Sequence, residues 1–147
     1  MRLLLVHGPN LNKLGSRDPQ HYGTTTLHEL VHTVTEKARG RGLEVFAFQS
    51  NHEGAIIDWL QEKSAASDAI IINPGGLAHS SVSLRDALAD TGRLIVEVHL
   101  SDVMSREPFR HTLITATAAA KFIAGKGMAG YFEAVDFVAD SRPPITA

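Results

Sequence analysis

The chain contains no cysteine, a single tryptophan and no long apolar run. Without cysteine it forms no disulfide and uses no thiol chemistry, as is typical of proteins in a reducing compartment. No segment approaches the roughly 18 consecutive apolar residues that a membrane helix needs. The first residues also lack the pattern of a secretory signal peptide. These absences predict a cytoplasmic protein with no membrane partner.

An excess of positive charge is also missing. The chain carries 14 Lys and Arg against 16 Asp and Glu, for a net charge of −2, and its basic residues are scattered. A nucleic-acid-binding domain would show a basic face, so we expect no nucleic-acid partner. A length of 147 residues predicts one catalytic domain over 1–147, with a flexible tail from about residue 140.

Hydrophobic periodicity predicts alternating strands and helices. The apolar stretches that predict strands are residues 3–6, 43–49, 68–72, 93–98 and 118–124. The amphipathic stretches that predict helices are residues 24–39, 50–63, 80–91 and 128–138. Thr26 with Glu29, and Ser50 with Glu53, have capping-box spacing, and Ser80 or Ser81 begins the third helix. This alternation predicts an α/β fold, a flavodoxin-like doubly wound five-stranded parallel sheet with helices on both faces.

Three polar loops follow the first, third and fourth predicted strands. The first runs from Gly8 to Gly23, much longer than the usual 2–6 residues of a βα loop. Ligands of such a sheet bind beyond the carboxyl ends of its strands. We therefore expect the polar side chains of these loops to converge there: Asn10, Arg17, Tyr22, Asn73, His79, Glu97, His99, Arg106 and Arg110.

Two short motifs have a plainer interpretation than their patterns suggest. His28 and His32 match the H-E-x-x-H helix of zinc proteases, but they lie off the apolar stripe of their helix and no third ligand follows at a family spacing. Gly125–Gly130 matches the dinucleotide fingerprint G-x-G-x-x-G, but no further strand or acidic residue follows. We predict a solvated helix face for the first, and a tight turn with close helix–sheet packing for the second.

Tyr22 and the pair Glu97 and His99 suggest a base and an acid. A free phenol keeps its proton at neutral pH, and a guanidinium such as that of Arg17 favours the phenolate. Glu97 and His99 alternate along a strand and therefore point to the same side, so that the carboxylate can orient the imidazole as an acid. The alternatives are a tyrosine that only packs the loop and a core histidine satisfied by a core glutamate.

The remaining polar residues suggest how a substrate is held. Arg106 and Arg110, four residues apart, can share one face of a helical turn and bind a carboxylate; the alternative is a surface ion pair with Glu107. The segment 73–76 resembles a backbone nest for an oxyanion or polyol, or is an ordinary turn. A base, an acid and a carboxylate clamp without a cofactor motif predict a lyase that eliminates water from a small hydroxy acid.

The chain closely resembles the type II 3-dehydroquinate dehydratases of the shikimate pathway. The matching segments occur in family order and are LLLVHGPNLNKLGSRDPQHYG, QSNHEGAIIDWL, IINPGGLAHSSVSLRDAL and VEVHLSDVMSREPFRH. The resemblance implies a hydro-lyase that uses no cofactor and no metal and converts 3-dehydroquinate to 3-dehydroshikimate by anti-elimination through an enolate.

The resemblance also implies a role for each matching residue. Tyr22 is the base, activated by Arg17, and Asn10 holds a water or stabilises the enolate. His99, oriented by Glu97, is the acid. The residues implied to bind substrate, with Arg106 in the lid region, are Asn73, His79, Leu100 and Ser101 through their backbone, Arg106 and Arg110.

Assembly is implied by the resemblance alone. Asp86 occupies the position at which the family's acidic residue reaches a neighbour's site, and the family usually forms a homododecamer, a tetramer of trimers. The loop with Arg17 and Tyr22 is implied to act as a lid, which we expect to hinge at Gly15 and Gly23.

The chain departs from the family pattern at several positions. These are Leu77 and Ala78, Asp102, Thr112 and Leu113, and residues 118–126. Two other functions compete with the lyase. One is a binding or assembly module on the same fold, and the other is a zinc hydrolase that uses His28 and His32.

Overall fold

The computed structural model describes residues 1–142, and within them the chain forms five strands and five α-helices. The strands are β1 (Arg2–His7), β2 (Glu44–Gln49), β3 (Ala69–Asn73), β4 (Leu94–His99) and β5 (Lys121–Ala124). The helices are α1 (Pro19–Tyr22), α2 (Leu27–Gly40), α3 (Glu53–Lys63), α4 (Val82–Asp90) and α5 (Met128–Asp140). Of the predicted tail, Asp140 ends α5, and residues 143–147 lie outside the described residues.

The strands form one parallel sheet in the order β2-β1-β3-β4-β5. This order confirms the predicted flavodoxin-like fold. β1 lies inside the sheet, where Leu3 pairs with Val45 of β2 on one side and Ala69 of β3 on the other. An unbroken apolar run suits this place because helices cover both faces of the strand.

Successive side chains of β1 enter two separate cores, because neighbouring residues of a strand point to opposite faces. Leu3 and Leu5 pack with residues of α2 and α5, whereas Leu4 and Val6 pack with residues of α3 and α4. The two helix layers therefore hold the sheet from both sides. No helix within the described residues is long and apolar enough to cross a bilayer.

Local capping explains most differences from the predicted boundaries. The side chains of Thr26 and Ser81 each accept a hydrogen bond from the N–H three residues further along. As a result α2 begins at Leu27 and α4 begins at Val82. The Ser50 and Glu53 capping box is wrong: Ser50 accepts a hydrogen bond from the N–H of His52, which is the residue that precedes α3. The fifth strand begins at Lys121 instead of residue 118, because residues 115–118 form a 3-10 turn.

The long connection after β1 contains more regular structure than its composition indicates. It includes a 3-10 turn (Leu11–Lys13) and the single turn of α1. Leu11 and Leu14 are buried in the same core as α2 and α5. The connection is therefore anchored by apolar side chains before it reaches the polar segment that carries Tyr22.

Candidate active site

The loops after β1 and β3 pack directly against each other at the carboxyl edge of the sheet. A Cβ atom on Gly8 would lie 2.3 Å from the carbonyl oxygen of Pro74, and one on Gly75 would lie 2.8 Å from that of Pro9. Only glycine fits such close backbone approaches. Asn10 follows in the left-handed conformation, with φ of 71°, and its N–H donates to Asn51 Oδ1 at 2.9 Å.

A cavity of about 170 Å³ opens at this edge and is lined by all three polar loops. Eight of the nine side chains expected to converge line it: Asn10, Arg17, Tyr22, Asn73, His79, His99, Arg106 and Arg110. Glu97, the ninth, is fully buried and contacts His99. Leu100 and Ser101 also line the cavity.

Tyr22 presents its hydroxyl to two guanidinium groups. Arg17 Nη2 donates to the Tyr22 oxygen at 3.0 Å, and Arg106 Nη1 donates at 2.8 Å. The Arg17 guanidinium also lies over the phenol ring, with Cζ 3.8 Å from the ring centroid. A guanidinium group only donates, so the Tyr22 oxygen accepts two charge-assisted hydrogen bonds.

The buried Glu97 carboxylate fixes the orientation of the His99 ring through a hydrogen bond. His99 Nε2 donates to Glu97 Oε2 at 2.8 Å, and the hydroxyl of Thr115 donates to the other carboxylate oxygen. Glu97 and Thr115 are both fully buried. Since the hydrogen bond to Glu97 keeps a proton on Nε2, Nδ1 is the ring nitrogen that can exchange a proton with a ligand in the cavity.

His79 lies beside His99, and the two ring centroids are 6.3 Å apart. Its Nδ1 is 2.9 Å from the carbonyl oxygen of Thr112. A carbonyl only accepts, so Nδ1 carries the proton and Nε2 is free to act as an acceptor. His79 can therefore accept a hydrogen bond from a ligand hydroxyl.

The predicted carboxylate clamp is wrong in its geometry. Arg106 lies outside the 3-10 turn that contains Arg110 (Pro108–His111) and reaches Tyr22 instead. Arg110 pairs with Glu107 at 2.6 Å, as in the alternative interpretation, although it also lines the cavity. The pKa of the Glu107 carboxyl lies below its usual value, because the carboxylate accepts hydrogen bonds from its own backbone N–H and from the Arg110 guanidinium.

Asp86 lies on α4 with an exposed side chain, outside the cavity of its own chain. It forms an ion pair with Arg85 at 3.2 Å. A role in a neighbour's site stays a prediction.

A buried polar chain below the cavity has no counterpart among the sequence predictions. His7 Nε2 lies 2.9 Å from the Tyr131 hydroxyl, and Asn73 Nδ2 lies 3.2 Å from the same oxygen. All three residues are buried. Tyr131 occupies the core face of α5, where an aromatic residue gives no sign of a polar partner, because the partners are more than fifty residues away in sequence.

Comparisons with known proteins place this arrangement in a family. The family model described as dehydroquinase class II matches residues 1–139. The chain belongs to the class II dehydroquinase family.

Curated relatives and solved structures resemble this dehydroquinase over nearly its whole length. The 3-dehydroquinate dehydratase of Roseiflexus castenholzii is 49% identical over 97% of the chain and 90% of the relative. That of Herminiimonas arsenicoxydans is 52% identical over 92% of the chain and 94% of the relative. The type II dehydroquinase structure from Butyrivibrio crossotus has a TM-score of 0.91 at 43% identity, covering 94% and 97% of the two chains.

Three of the positions at which the chain departs from the family pattern make local contacts near the cavity or in the loop after β4. Thr112 meets His79 through its backbone carbonyl, so the identity of its side chain does not enter this contact. The carbonyl of the buried Ala78 accepts from the N–H of Ile114 at 2.8 Å. Asp102 caps the 3-10 turn that follows it by accepting from Met104 N–H at 3.2 Å.

The two short motifs have the plain structures that the sequence predicts for them. His28 and His32 are exposed on α2, as expected of a solvated helix face. In the glycine motif, a Cβ atom on Gly130 would lie 3.1 Å from Ile123 of β5. The absence of a side chain there lets α5 approach the sheet closely.

Burial of His7 predicts a loss of stability in acid. Desolvation lowers the pKa of His7 to about 3. Below a pH of about 6.5 the His7 imidazole is protonated in the unfolded chain but stays neutral in the folded chain. The free energy of unfolding therefore falls as the pH decreases. Between pH 7 and pH 5 we expect the unfolding free energy of wild type to fall by about 2 kcal/mol because of His7. His7→Gln should not show this decrease.

Urea unfolding at pH 7 and pH 5, at one fixed protein concentration, measures this difference. His28→Gln is the matched control because His28 is exposed, and it should keep the acid sensitivity of wild type. Equal acid sensitivity in wild type and His7→Gln would show that His7 is not the residue responsible.

Proposed function

We propose that this dehydroquinase converts 3-dehydroquinate to 3-dehydroshikimate and water by a cofactor-free anti-elimination. The observation that carries the proposal is the position of the Tyr22 hydroxyl, which lies between the guanidinium groups of Arg17 and Arg106 and opens onto the cavity. The names of the relatives, 3-dehydroquinate dehydratase and catabolic 3-dehydroquinase, support the choice of substrate.

In the first step, the Tyr22 phenolate removes a proton from C2 of the substrate. The electron pair of the broken C–H bond passes into the neighbouring ketone and gives an enolate. Arg17 and Arg106 stabilise the phenolate before the transfer, since both donate to its oxygen. Asn10, which lines the same cavity, holds a water or donates to the enolate oxygen.

In the second step, the enolate reforms the ketone and expels the C1 hydroxyl. His99 donates its Nδ1 proton to the departing oxygen, which leaves as water. Glu97 stabilises the imidazolium that must exist just before this transfer, because a buried carboxylate 2.8 Å away favours a cation. The proton removed at C2 and the proton donated at C1 balance, so no oxidant or reductant is needed.

Other polar groups orient the substrate. Asn73, His79, Arg110 and the backbone at Leu100 and Ser101 bind its hydroxyl and carboxylate groups. This assignment is supported by the position of all five residues in the lining of one cavity. We further propose that Asp86 completes the site of an adjacent subunit in a dodecamer, a tetramer of trimers, and that the enzyme is cytoplasmic.

An absorbance assay for the enone product, run with and without EDTA, tests the proposed activity. We expect wild type to turn over 3-dehydroquinate at the same rate in EDTA. The double variant His28→Ala/His32→Ala should stay within about twofold of wild type, because both side chains face away from the sheet on the exposed side of α2. Absence of turnover would refute the substrate, and a loss of activity with EDTA or in the double variant would favour the zinc hydrolase.

A further inference from the structure

Donors and acceptors can be assigned along the hydrogen bonds that link Asn73, Tyr131 and His7. The N–H of Gly75 lies 3.1 Å from Asn73 Oδ1. A backbone N–H only donates, so the Asn73 oxygen must face Gly75 and its Nδ2 must face Tyr131. The Tyr131 oxygen therefore accepts from Asn73. Within residues 1–142 the other side chain bonded to this buried hydroxyl is that of His7, so pairing of the hydroxyl proton requires Tyr131 to donate to His7 Nε2.

His7 is suited to end this chain as an acceptor. It is 1% exposed, and burial lowers its pKa to about 3, so the ring is neutral at physiological pH. A neutral imidazole has one acceptor nitrogen, and the contact with the Tyr131 hydroxyl assigns that role to Nε2. The ring of His7 also stacks against that of Tyr131, with centroids 5.7 Å apart, which fixes the two side chains relative to each other.

In the described part of the chain, one Nδ2 proton of Asn73 remains without a partner. Its Nδ2 carries two protons and Tyr131 binds one of them. Asn73 lines the cavity although it is 3% exposed. We infer that Tyr131 and His7 are positioning residues, which fix the amide of Asn73 so that its second Nδ2 proton is presented to a hydroxyl of the bound substrate.

This inference rests on the proposed function for the identity of the substrate, and Tyr131→Phe tests it. The variant removes one buried hydroxyl and keeps the ring. Without its acceptor, the Asn73 amide can rotate or flip, and the ligand loses a well-placed donor. We expect KM for 3-dehydroquinate to rise about tenfold with kcat within about threefold, because the lost contact binds substrate and transition state alike.

Four further variants separate positioning from a general loss of stability. Ile56→Val, in the core on the opposite face of the sheet, should lower stability and leave KM unchanged. His7→Gln keeps an acceptor for Tyr131 and should keep most of the wild-type affinity, whereas His7→Leu should resemble Tyr131→Phe. In an Asn73→Ala background, Tyr131→Phe should have no further effect on KM.

A crystal structure of Tyr131→Phe gives a readout independent of turnover. We expect the Asn73 amide to leave its contact with Gly75 or to occupy two orientations. An unchanged Asn73 together with an unchanged KM would overturn the inference while leaving the proposed function standing. Absence of turnover in wild type would refute only the proposed function. The orientation of Asn73 in the Tyr131→Phe crystal structure would still test the positioning role of Tyr131.

Discussion

Replacing Tyr22 with phenylalanine is expected to lower kcat by about 10³-fold or more, while 3-dehydroquinate still binds within about threefold of wild type. The phenol oxygen is the group on which Arg17 and Arg106 converge. Phenylalanine removes that oxygen but keeps the ring under the Arg17 guanidinium, which lies 3.8 Å from its centroid. The segment around Tyr22 should therefore keep its packing and lose only the phenol oxygen that we propose as the base.

Single-turnover kinetics and calorimetric titration with 3-dehydroquinate separate the two effects. Gln20→Ala is the matched control, because Gln20 lies on the same helical turn with an exposed side chain. It should keep kcat within about twofold. A Tyr22→Phe variant with near-normal kcat would exclude Tyr22 as the base, and one that no longer binds substrate would assign it to binding.

Replacing Glu97 with glutamine should lower kcat by about 10²- to 10³-fold with little change in substrate binding. The substitution keeps the volume of a side chain that is fully buried. It removes the negative charge that lies 2.8 Å from His99 Nε2 and stabilises the imidazolium. If His99 is the acid as proposed, loss of that charge makes protonation of the departing hydroxyl slower.

Thr115→Val separates the charge of Glu97 from its orientation. Valine has nearly the shape of threonine but cannot donate to Glu97 Oε1. The carboxylate keeps its charge and loses one buried partner, so we expect a smaller decrease of about tenfold in kcat. If Glu97→Gln and Thr115→Val reduced kcat equally, the geometry of the carboxylate rather than its charge would be what matters.

The fold and the place of the site were predictable because both depend on local patterns. Apolar runs such as Leu3 to Val6 predict buried strands, and amphipathic stretches predict the helices between them. Parallel strands bring the loops at their carboxyl ends to one edge. Asn10, Tyr22, Asn73 and His99 therefore share a cavity, as expected from their positions alone.

The direction of each side chain within those loops was not predictable from spacing. Arg106 and Arg110 are four apart, but the chain between them is irregular. As a result Arg106 turns to Tyr22, 84 residues away in sequence, and Arg110 turns to Glu107. Outside a regular helix or strand, no fixed period relates sequence distance to direction.

Hydrophobic periodicity and glycine placement act over a few residues, so they predict an α/β sheet with its polar loops at one edge. The partners of the site residues, by contrast, follow from long-range packing. Arg106 reaches Tyr22, Thr115 reaches Glu97, and Tyr131 joins Asn73 to His7. These contacts join separate elements of the chain, and only the packing of α5 and the loops on the finished sheet brings their atoms within hydrogen-bonding distance.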